Sequence, residues 1–314
     1  MPLLAFLGRH GTRALFAGVF LGIALPGLAA LFRPLLGPAV ALLLLLALLR
    51  VDWQAMGAVV RRPWLCAALV AWILLGSPLV MWGCLQLLAL PQPLTVALVL
   101  MSAAPPIVGG AAIAMLIGLD GALAVVIALF STLLAPLSVP PLALLLLGLD
   151  LQIGLFAFMG RLAAIVALAF AGAWLLRRLV GLPRLRSLSG HIDGLVVLIM
   201  LVFAVAIMDG VTRTLLERPG TVALWLAAAF VANPGLQLIA ALLFRPLGLR
   251  RALTVGLLAG NCNMGLLLAA LPPGADFDVV LYFALAQLPM YMLPALALPL
   301  YRRLLEARGA STGG

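Results

Sequence analysis

The sequence has very little charge and no lysine. Charged residues make up 9% of its 314 residues, all nineteen basic residues are arginines, and there are only nine acids. Soluble domains carry roughly 25% charged residues, so this chain has too few polar side chains to cover a water-facing surface. Hydrophobic residues reach 66% and the mean hydropathy is +1.29. This composition excludes a soluble enzyme and a nucleic-acid-binding protein, and it indicates an all-α membrane protein.

Cysteine and histidine are also scarce. The three cysteines, Cys66, Cys84 and Cys262, all lie in apolar stretches, and the two histidines, His10 and His191, lie outside the apolar runs near arginines. There is no CxxC pattern and no spacing typical of metal ligands. We therefore expect no disulfide framework, no metal site and no cofactor.

Continuous apolar runs, rich in leucine and alanine, fill most of the chain. A membrane-spanning helix needs about 20 such residues, and arginine, proline and glycine divide the chain into ten runs of about this length. The predicted segments are 14–32, 34–50, 64–90, 93–118, 120–148, 154–176, 193–212, 220–244, 252–272 and 277–301.

The arginines are distributed unevenly among the connections between these segments. Fifteen fall at the two termini and in the connections after segments 2, 6 and 8, which all lie on one side if there are ten crossings. Arg33, Arg213 and Arg218 fall on the opposite side, and Arg161 lies within segment 6. The positive-inside rule places the arginine-rich side in the cytoplasm. We therefore expect an inner-membrane protein with both termini in the cytoplasm.

Two short strings recur about half a chain length apart. Residues 94–98 (LTVAL) recur as 253–257 (LTVGL), and residues 85–87 (LQL) recur as 236–238. They predict two five-helix repeats, residues 1–152 and 153–314. Because each half crosses the membrane an odd number of times, the second half is inverted relative to the first. Inverted repeats are typical of secondary transporters.

Both halves are interrupted just after the repeated string. Segment 4 contains Pro105, Pro106, Gly109 and Gly110, and segment 9 contains the run Gly-Asn-Cys-Asn-Met-Gly at 260–265. Proline removes a backbone donor, and in lipid the freed backbone groups need a protein partner or a watery cavity. The sequence therefore predicts that helices 4 and 9 are discontinuous and cross at a transport site. The alternative is a proline kink with two asparagines that join neighbouring helices.

These features resemble the bile acid:sodium symporter family. The most specific match is the string Ser-Thr-Leu-Leu-Ala-Pro at residues 131–136, and Gly260, Asn263 and Gly265 match a motif of the family's ninth helix in register. Recognisable anchors extend over about residues 64–270. The resemblance implies a ten-helix fold in which core helices 3–5 and 8–10 move against a panel of helices 1, 2, 6 and 7.

The family's sodium-ligand positions hold residues without side-chain oxygens. The resemblance places those ligands at Gly110, Ala111, Ala124, Ala128, Leu258 and Cys262. Hard cations take oxygen ligands. We therefore expect the chain to keep the scaffold without coupling to sodium as the family does.

No acid is predicted near the middle of the membrane. The acids at the cytoplasmic ends are Asp52, Asp120, Asp193 and Glu306, and those at the outer ends are Asp150, Asp209, Glu217, Asp276 and Asp278. Ionisable residues inside a membrane usually mark cation or proton pathways. Their absence from the predicted midplane agrees with the loss of the sodium ligands.

Candidate solute-binding residues lie at the breaks and on nearby segments. They are Pro105, Pro106, Gly109, Gly110, Asn261 and Asn263 at the breaks, with Ser131, Thr132, Gln237 and Gln287 on segments 5, 8 and 10. The asparagines would bind a solute or join helices, and the two hydroxyls would face the crossover or bond carbonyls of their own helix. The two glutamines would line a cavity or form satisfied buried amides.

Arg161 is the one arginine inside a predicted span. It lies roughly 10 Å from the outer end of segment 6, at 1.5 Å per helical residue. A long arginine side chain can extend to the membrane interface. The alternatives are an anchor for an anionic solute, or a partner for Asp209 or Asp150.

The leading functional hypothesis is a secondary transporter for a small organic solute, anionic or amphipathic, that works by alternating access. The alternative is a transport-inactive relative that acts as a sensor or partner subunit. A membrane enzyme is disfavoured because the sequence has no HExxH motif and no midplane pair of acids, so we expect no catalytic residues. The expected partners are the bilayer and the solute, without nucleic acid, and the chain would be a monomer or homodimer.

Overall fold

The computed structural model describes residues 11–51, 53–148, 154–272 and 274–311, and these residues form helices joined by turns without any strand. The predicted all-helical class is therefore confirmed. The expected boundary between the halves, at residues 152 and 153, lies outside the described residues, as do Asp52 and Asp150.

The helices of the first part of the chain follow the predicted segments with two differences. They are α1 (Gly11–Ala24), α2 (Pro26–Phe32), α3 (Leu36–Leu49), α4 (Trp53–Val60), α5 (Pro63–Ala71), α6 (Ser77–Leu85), α7 (Gln92–Ala103), α8 (Gly110–Ile117) and α9 (Gly121–Leu147). The short helix α4 was not predicted. Segment 1 is not one continuous helix, because Pro26 has no N–H to extend α1 and instead begins α2.

Nine further helices follow in the described residues of the second part of the chain. Its helices are α10 (Leu155–Val180), α11 (Leu182–Ser187), α12 (Ser189–Ala206), α13 (Val211–Glu217), α14 (Pro219–Leu243), α15 (Leu249–Gly260), α16 (Met264–Ala270), α17 (Phe277–Leu285) and α18 (Gln287–Ser311). Short 3-10 turns at Arg33–Leu35 and Arg245–Leu247 join α2 to α3 and precede α15.

Among the described residues, seven helical stretches are long and apolar enough to cross a membrane, although some of them contain a short turn or a change of helix type. They are Pro26–Leu49, Pro63–Leu85, Gly121–Leu147, Leu155–Val180, Ser189–Glu217, Pro219–Leu243 and Phe277–Pro294. They identify an integral, multi-pass membrane protein. Predicted segments 4 and 9 are absent from this set because each is divided into two helices that are too short to span by themselves.

The third predicted segment contains a local change in helix type. Residues Trp72–Gly76 form a π-helical turn between α5 and α6, just before Pro78. Because proline cannot donate the normal helical hydrogen bond, a wider turn before it accommodates the missing donor. This turn packs against α7 and α9.

Small residues allow the closest helix contacts. On α15, a Cβ atom at Gly256 would lie 2.6 Å from the carbonyl oxygen of Gln237 on α14, and one at Gly260 would lie 2.6 Å from the carbonyl oxygen of Asn233. On α1, Gly22 approaches α12 in the same way. Close packing of backbones through glycines four residues apart is a common means of joining helices in membranes.

Candidate functional site

Helices α7 and α15 both stop near the middle of the predicted membrane. After α7, Ala104 is extended and the chain resumes helical structure at Gly110. After α15, helical structure resumes at Met264. The two predicted breaks are therefore present, and the proline and glycine residues that predicted the first one occupy it.

The two breaks contact each other through their backbones. The N–H of Ile107 donates to the carbonyl of Asn261 at 3.0 Å, and the N–H of Asn263 donates to the carbonyl of Pro105 at 2.7 Å. Pro106 and Cys262 lie opposite each other in this short antiparallel bridge. Each break thus provides hydrogen-bond partners for backbone groups that lost their helical partners in the other break. Inside a membrane such groups need a partner from the protein or from water.

A cavity of about 170 Å³ adjoins the paired breaks. Helices α3 and α12 form one wall, and the breaks and α18 form the other. The lining residues are Val40, Leu43, Leu44, Ala47, Ile107, Val108, Gly109, Val196, Met200, Phe203, Cys262, Asn263, Met264, Gly265, Gln287, Met290 and Tyr291. Most of this lining is apolar, and it contains no charged side chain.

Asn263 and Gln287 supply amides to this cavity. The side-chain oxygen of Asn263 accepts from the N–H of Leu266 at 3.1 Å and so caps α16. Its Nδ2 atom has no acceptor among the described residues and is available to a solute. Gln287 donates from Nε2 to the carbonyl of Phe283 at 3.1 Å, which leaves its oxygen without a protein donor in the described part of the chain.

A larger cavity of about 540 Å³, which we call the vestibule, continues from the first towards the arginine-rich side. The two share lining residues on α3, α12 and the first break, including Ala47, Gly109 and Val196. Arg50 and Arg250 line the far end of the vestibule. The cavity at the breaks is therefore adjacent to a cavity that is lined by arginines of the arginine-rich side.

Three of the predicted polar residues are buried away from the cavity. Asn261 donates from Nδ2 to the carbonyl of Leu257 at 2.7 Å, and Thr132 donates to the carbonyl of Ala128 at 2.7 Å. Ser131 is fully buried, and its hydroxyl has no partner among the described residues. The structure places none of the three in the cavity lining, and Thr132 follows the alternative in which a hydroxyl bonds its own helix.

Gln237 belongs to a chain of hydrogen bonds within the protein. Tyr301 donates to its side-chain oxygen at 2.9 Å, and its nitrogen donates to Asn233 at 2.7 Å. Asn233 in turn donates to the carbonyl of Gly260 at 2.7 Å. This carbonyl lies at the end of α15, where the break removes the N–H that would bond it in a continuous helix. The amide side chains therefore stabilise the break from the α14 side.

Arg161 is exposed and lies outside the cavity. Its Nη1 atom donates to the carbonyl of Leu271, just past the end of α16, at 3.4 Å. Asp209, which the sequence offered as a partner, pairs with Arg33 instead, at 3.0 Å. Arg161 has no acidic partner among the described residues, and its other predicted partner, Asp150, lies outside them.

The three arginines predicted for the outer side all pair with acids. The pairs are Arg33–Asp209 at 3.0 Å, Arg213–Glu217 at 2.8 Å and Arg218–Asp278 at 2.8 Å. Hydrogen bonding to Asp278 raises the pKa of the Arg218 guanidinium. The helix ends that carry these three arginines therefore have little uncompensated positive charge.

The positions that the family resemblance assigned to sodium ligands are closely packed and apolar. Ala124, Ala128 and Leu258 are fully buried. A Cβ atom at Gly110 would lie 3.3 Å from Cδ2 of Leu258, which places two of the former ligand positions in contact. A hard cation needs several oxygens, and the side chains at these positions supply none. These residues do not fit a sodium site of that kind.

Apolar residues from α3 and α12 were missed as site residues. Leu43 and Leu44 on α3, and Val196, Met200 and Phe203 on α12, form the wall opposite the breaks. In a chain rich in leucine and valine these residues carry no distinguishing pattern, because core and cavity walls use the same residue types. Only their position opposite the breaks identifies them.

Comparison with known proteins finds a match for one part of the chain. Residues 37–174 match the family model described as Sodium Bile acid symporter family. The match confirms the resemblance predicted from the sequence, and it includes the first break and the Ser-Thr-Leu-Leu-Ala-Pro string. Members of this family are secondary transporters and not enzymes. No curated protein matches the sequence.

Proposed function

Because residues 37–174 carry the domain of the Sodium Bile acid symporter family, we propose that the protein transports a small organic solute across the inner membrane by alternating access. The observation that carries this proposal is the pairing of two helix breaks beside a cavity. Discontinuous helices that meet at the midplane are the usual binding site of secondary transporters.

The proposed topology has ten crossings in two inverted halves, residues 1–152 and 153–314. The seven candidate spans, helix α1 and the two broken helices together account for ten. With this number, the fifteen arginines of the termini and of three connections share one side, which the positive-inside rule assigns to the cytoplasm.

Alternating access would move two groups of helices against each other at the cavity. Helices α3 and α12 belong to the proposed panel, and the breaks belong to the proposed core. On the outer side of the cavity these groups touch closely, since a Cβ atom at Gly265 would lie 3.3 Å from Phe203 and from Val40. On the arginine-rich side the vestibule keeps them apart. This arrangement supports a cytoplasm-facing state, and a rocking motion that opens the Gly265 contact would expose the cavity to the outside.

The cavity favours a small solute with an apolar body. Its volume of about 170 Å³ is below the roughly 300–1,000 Å³ of sites for drug-sized ligands. The amides of Asn263 and Gln287 would hold one polar group, and Arg50 and Arg250 in the vestibule would attract a negative one. We therefore propose a compact amphipathic or anionic solute.

Transport is proposed to run without sodium at the family's ligand positions, because those positions are apolar and packed. The solute's own gradient would then drive net movement. Uptake into proteoliposomes should be unchanged when sodium is replaced by choline. A strict requirement for sodium would contradict this part of the proposal.

The decisive experiment combines ligand screening with a cavity-filling variant. Purified protein is screened by thermal shift against small organic acids and neutral analogues, and hits are tested for uptake. Gly109→Leu should abolish both stabilisation and uptake, because a Cβ there faces open cavity space, whereas Gly160→Leu on the exposed side of α10 should change neither. Wild-type uptake by Gly109→Leu would refute the cavity as the transport site. Ligand stabilisation without uptake or exchange would favour a transport-inactive sensor.

A further inference from the structure

A second polar cavity, which shares Arg50 and Val51 with the vestibule, lies at the arginine-rich ends of α3, α10, α11 and α12. Its volume is about 400 Å³, and its polar lining consists of Arg50, Arg177, Arg186, Ser189 and Asp193. Three guanidinium groups therefore face one carboxylate. The solute path described above does not account for this concentration of positive charge between helix ends.

The three arginines differ in what holds them. Arg177 donates to the carbonyls of Leu49 at 2.7 Å and Val51 at 2.6 Å. These bonds cap the end of α3 and hold the Arg177 side chain in place. Arg50 pairs with Asp193, which joins α3 to α12. Arg186 on α11 is exposed and has no acidic partner among the described residues.

We propose that this cavity binds a phosphate-bearing anion, supplied by the headgroup of an acidic membrane lipid. Guanidinium groups match phosphate oxygens with paired hydrogen bonds. Basic pockets between transmembrane helices at the cytoplasmic side are typical sites for such headgroups. The hydroxyl of Ser189 provides a further donor on the cavity wall.

The surroundings supply a place for the lipid's acyl chains. Leu179 and Leu182, on either side of the α10–α11 junction, are 72% and 48% exposed, and Leu182 also lines the cavity. Trp174 stacks under Arg178, with the guanidinium carbon 5.3 Å from the ring centroid. An aromatic–arginine pair of this kind is typical of the headgroup level of a membrane.

Binding there would act on helices that also line the solute cavity. Arg50 lines both this cavity and the vestibule, and Ala47, one helical turn earlier on α3, lines the cavity at the breaks. A bound headgroup would hold the arginine-rich ends of α3 and α12 in their present positions. Lipid binding at this cavity can be measured without any knowledge of the solute.

The test measures binding to the full-length purified protein in detergent. Phosphatidylglycerol is added in mixed micelles, with phosphatidylcholine as the zwitterionic comparison, and bound lipid is counted by native mass spectrometry alongside thermal stability. Phosphatidylglycerol should bind more tightly than phosphatidylcholine. Arg186→Gln should weaken that binding about fivefold, the factor that one arginine contributes near an anionic surface. The matched control is Arg184→Gln, which removes an exposed arginine from the same helix but outside the cavity, and it should have little effect.

A second variant tests the same site in the opposite direction. Asp193→Asn removes the carboxylate that competes for Arg50, so it should tighten phosphatidylglycerol binding about fivefold. Inorganic phosphate in a parallel series distinguishes a free anion from a lipid, because it should bind only weakly if the lipid is the source. Tight phosphate binding that depends on Arg186 would show that the cavity binds phosphate groups, but it would refute a lipid headgroup as their source. Equal binding of the two lipids, or equal losses in Arg184→Gln and Arg186→Gln, would overturn the site.

Discussion

The contact between α14 and α15 makes a sharp prediction about Gly256. In a Gly256→Ala variant, the new Cβ atom would lie 2.6 Å from the carbonyl oxygen of Gln237 and 3.2 Å from Cβ of Ala241. Ordinary contacts begin at 3.4 Å, so the helices must separate by 3.4 − 2.6 = 0.8 Å at this point. Overpacking of this kind costs about 1–3 kcal/mol, and alanine recovers up to about 1 kcal/mol through its higher helix propensity. We expect a net loss of about 1–2 kcal/mol in the free energy of unfolding.

The assay is reversible unfolding of the purified protein in detergent, followed by fluorescence or circular dichroism. Gly235→Ala on α14 is the matched control, because no atom lies within 4 Å of the Cβ position there. This control should be as stable as the wild type or slightly more stable. If Gly256→Ala and Gly235→Ala unfold at the same denaturant concentration, the two helices do not pack through Gly256, and the reasoning fails.

Three further predictions concern the breaks and the cavity. Asn233→Leu leaves the buried carbonyl of Gly260 without its donor and should lower the free energy of unfolding by about 1–3 kcal/mol in the same assay; an unchanged midpoint would contradict it. Asn263→Ser keeps an oxygen to cap α16 but removes the amide donor that faces the cavity, so ligand-induced stabilisation should fall while unfolding changes by less than about 1 kcal/mol. In a background without native cysteines, Ala112→Cys in the vestibule should react with a membrane-impermeant thiol reagent from the arginine-rich side only, whereas fully buried Ala128→Cys should stay unlabelled; labelling from the other side would refute the proposed orientation.

The positions of the breaks could be predicted because the residues there act on the backbone itself. Pro106 removes a backbone donor wherever it occurs, and Gly109 has no side chain to fill the space beside the break. These effects depend little on neighbours, so the sequence alone locates them. Helix α1 also ends just before a proline, Pro26. The prediction missed this interruption because the apolar run continues through Pro26.

The roles of the polar side chains could not be predicted in the same way. Asn263 and Gln237 look alike in sequence, since both are amides in apolar helices close to the middle of the membrane. Asn263 caps a helix and directs an unbonded N–H group towards the cavity. Gln237 is instead hydrogen-bonded to Tyr301 and Asn233. A buried amide must find a partner, and whether that partner is a solute or a distant helix depends on packing between segments far apart in the chain.

The backbone bridge between the two breaks also sets an order for membrane insertion. Ile107 and Pro105 are made early, but their hydrogen-bond partners, Asn261 and Asn263, belong to the other half of the chain. At 5–20 residues per second, synthesis takes roughly 8–30 s to reach those partners. During that interval the polar groups of the first break must be sheltered by water, by lipid headgroups or by the insertion machinery. A nascent chain that stops before residue 261 leaves the polar groups of the first break without their partners. Quality-control factors could recognise such a chain as unfinished by these exposed groups.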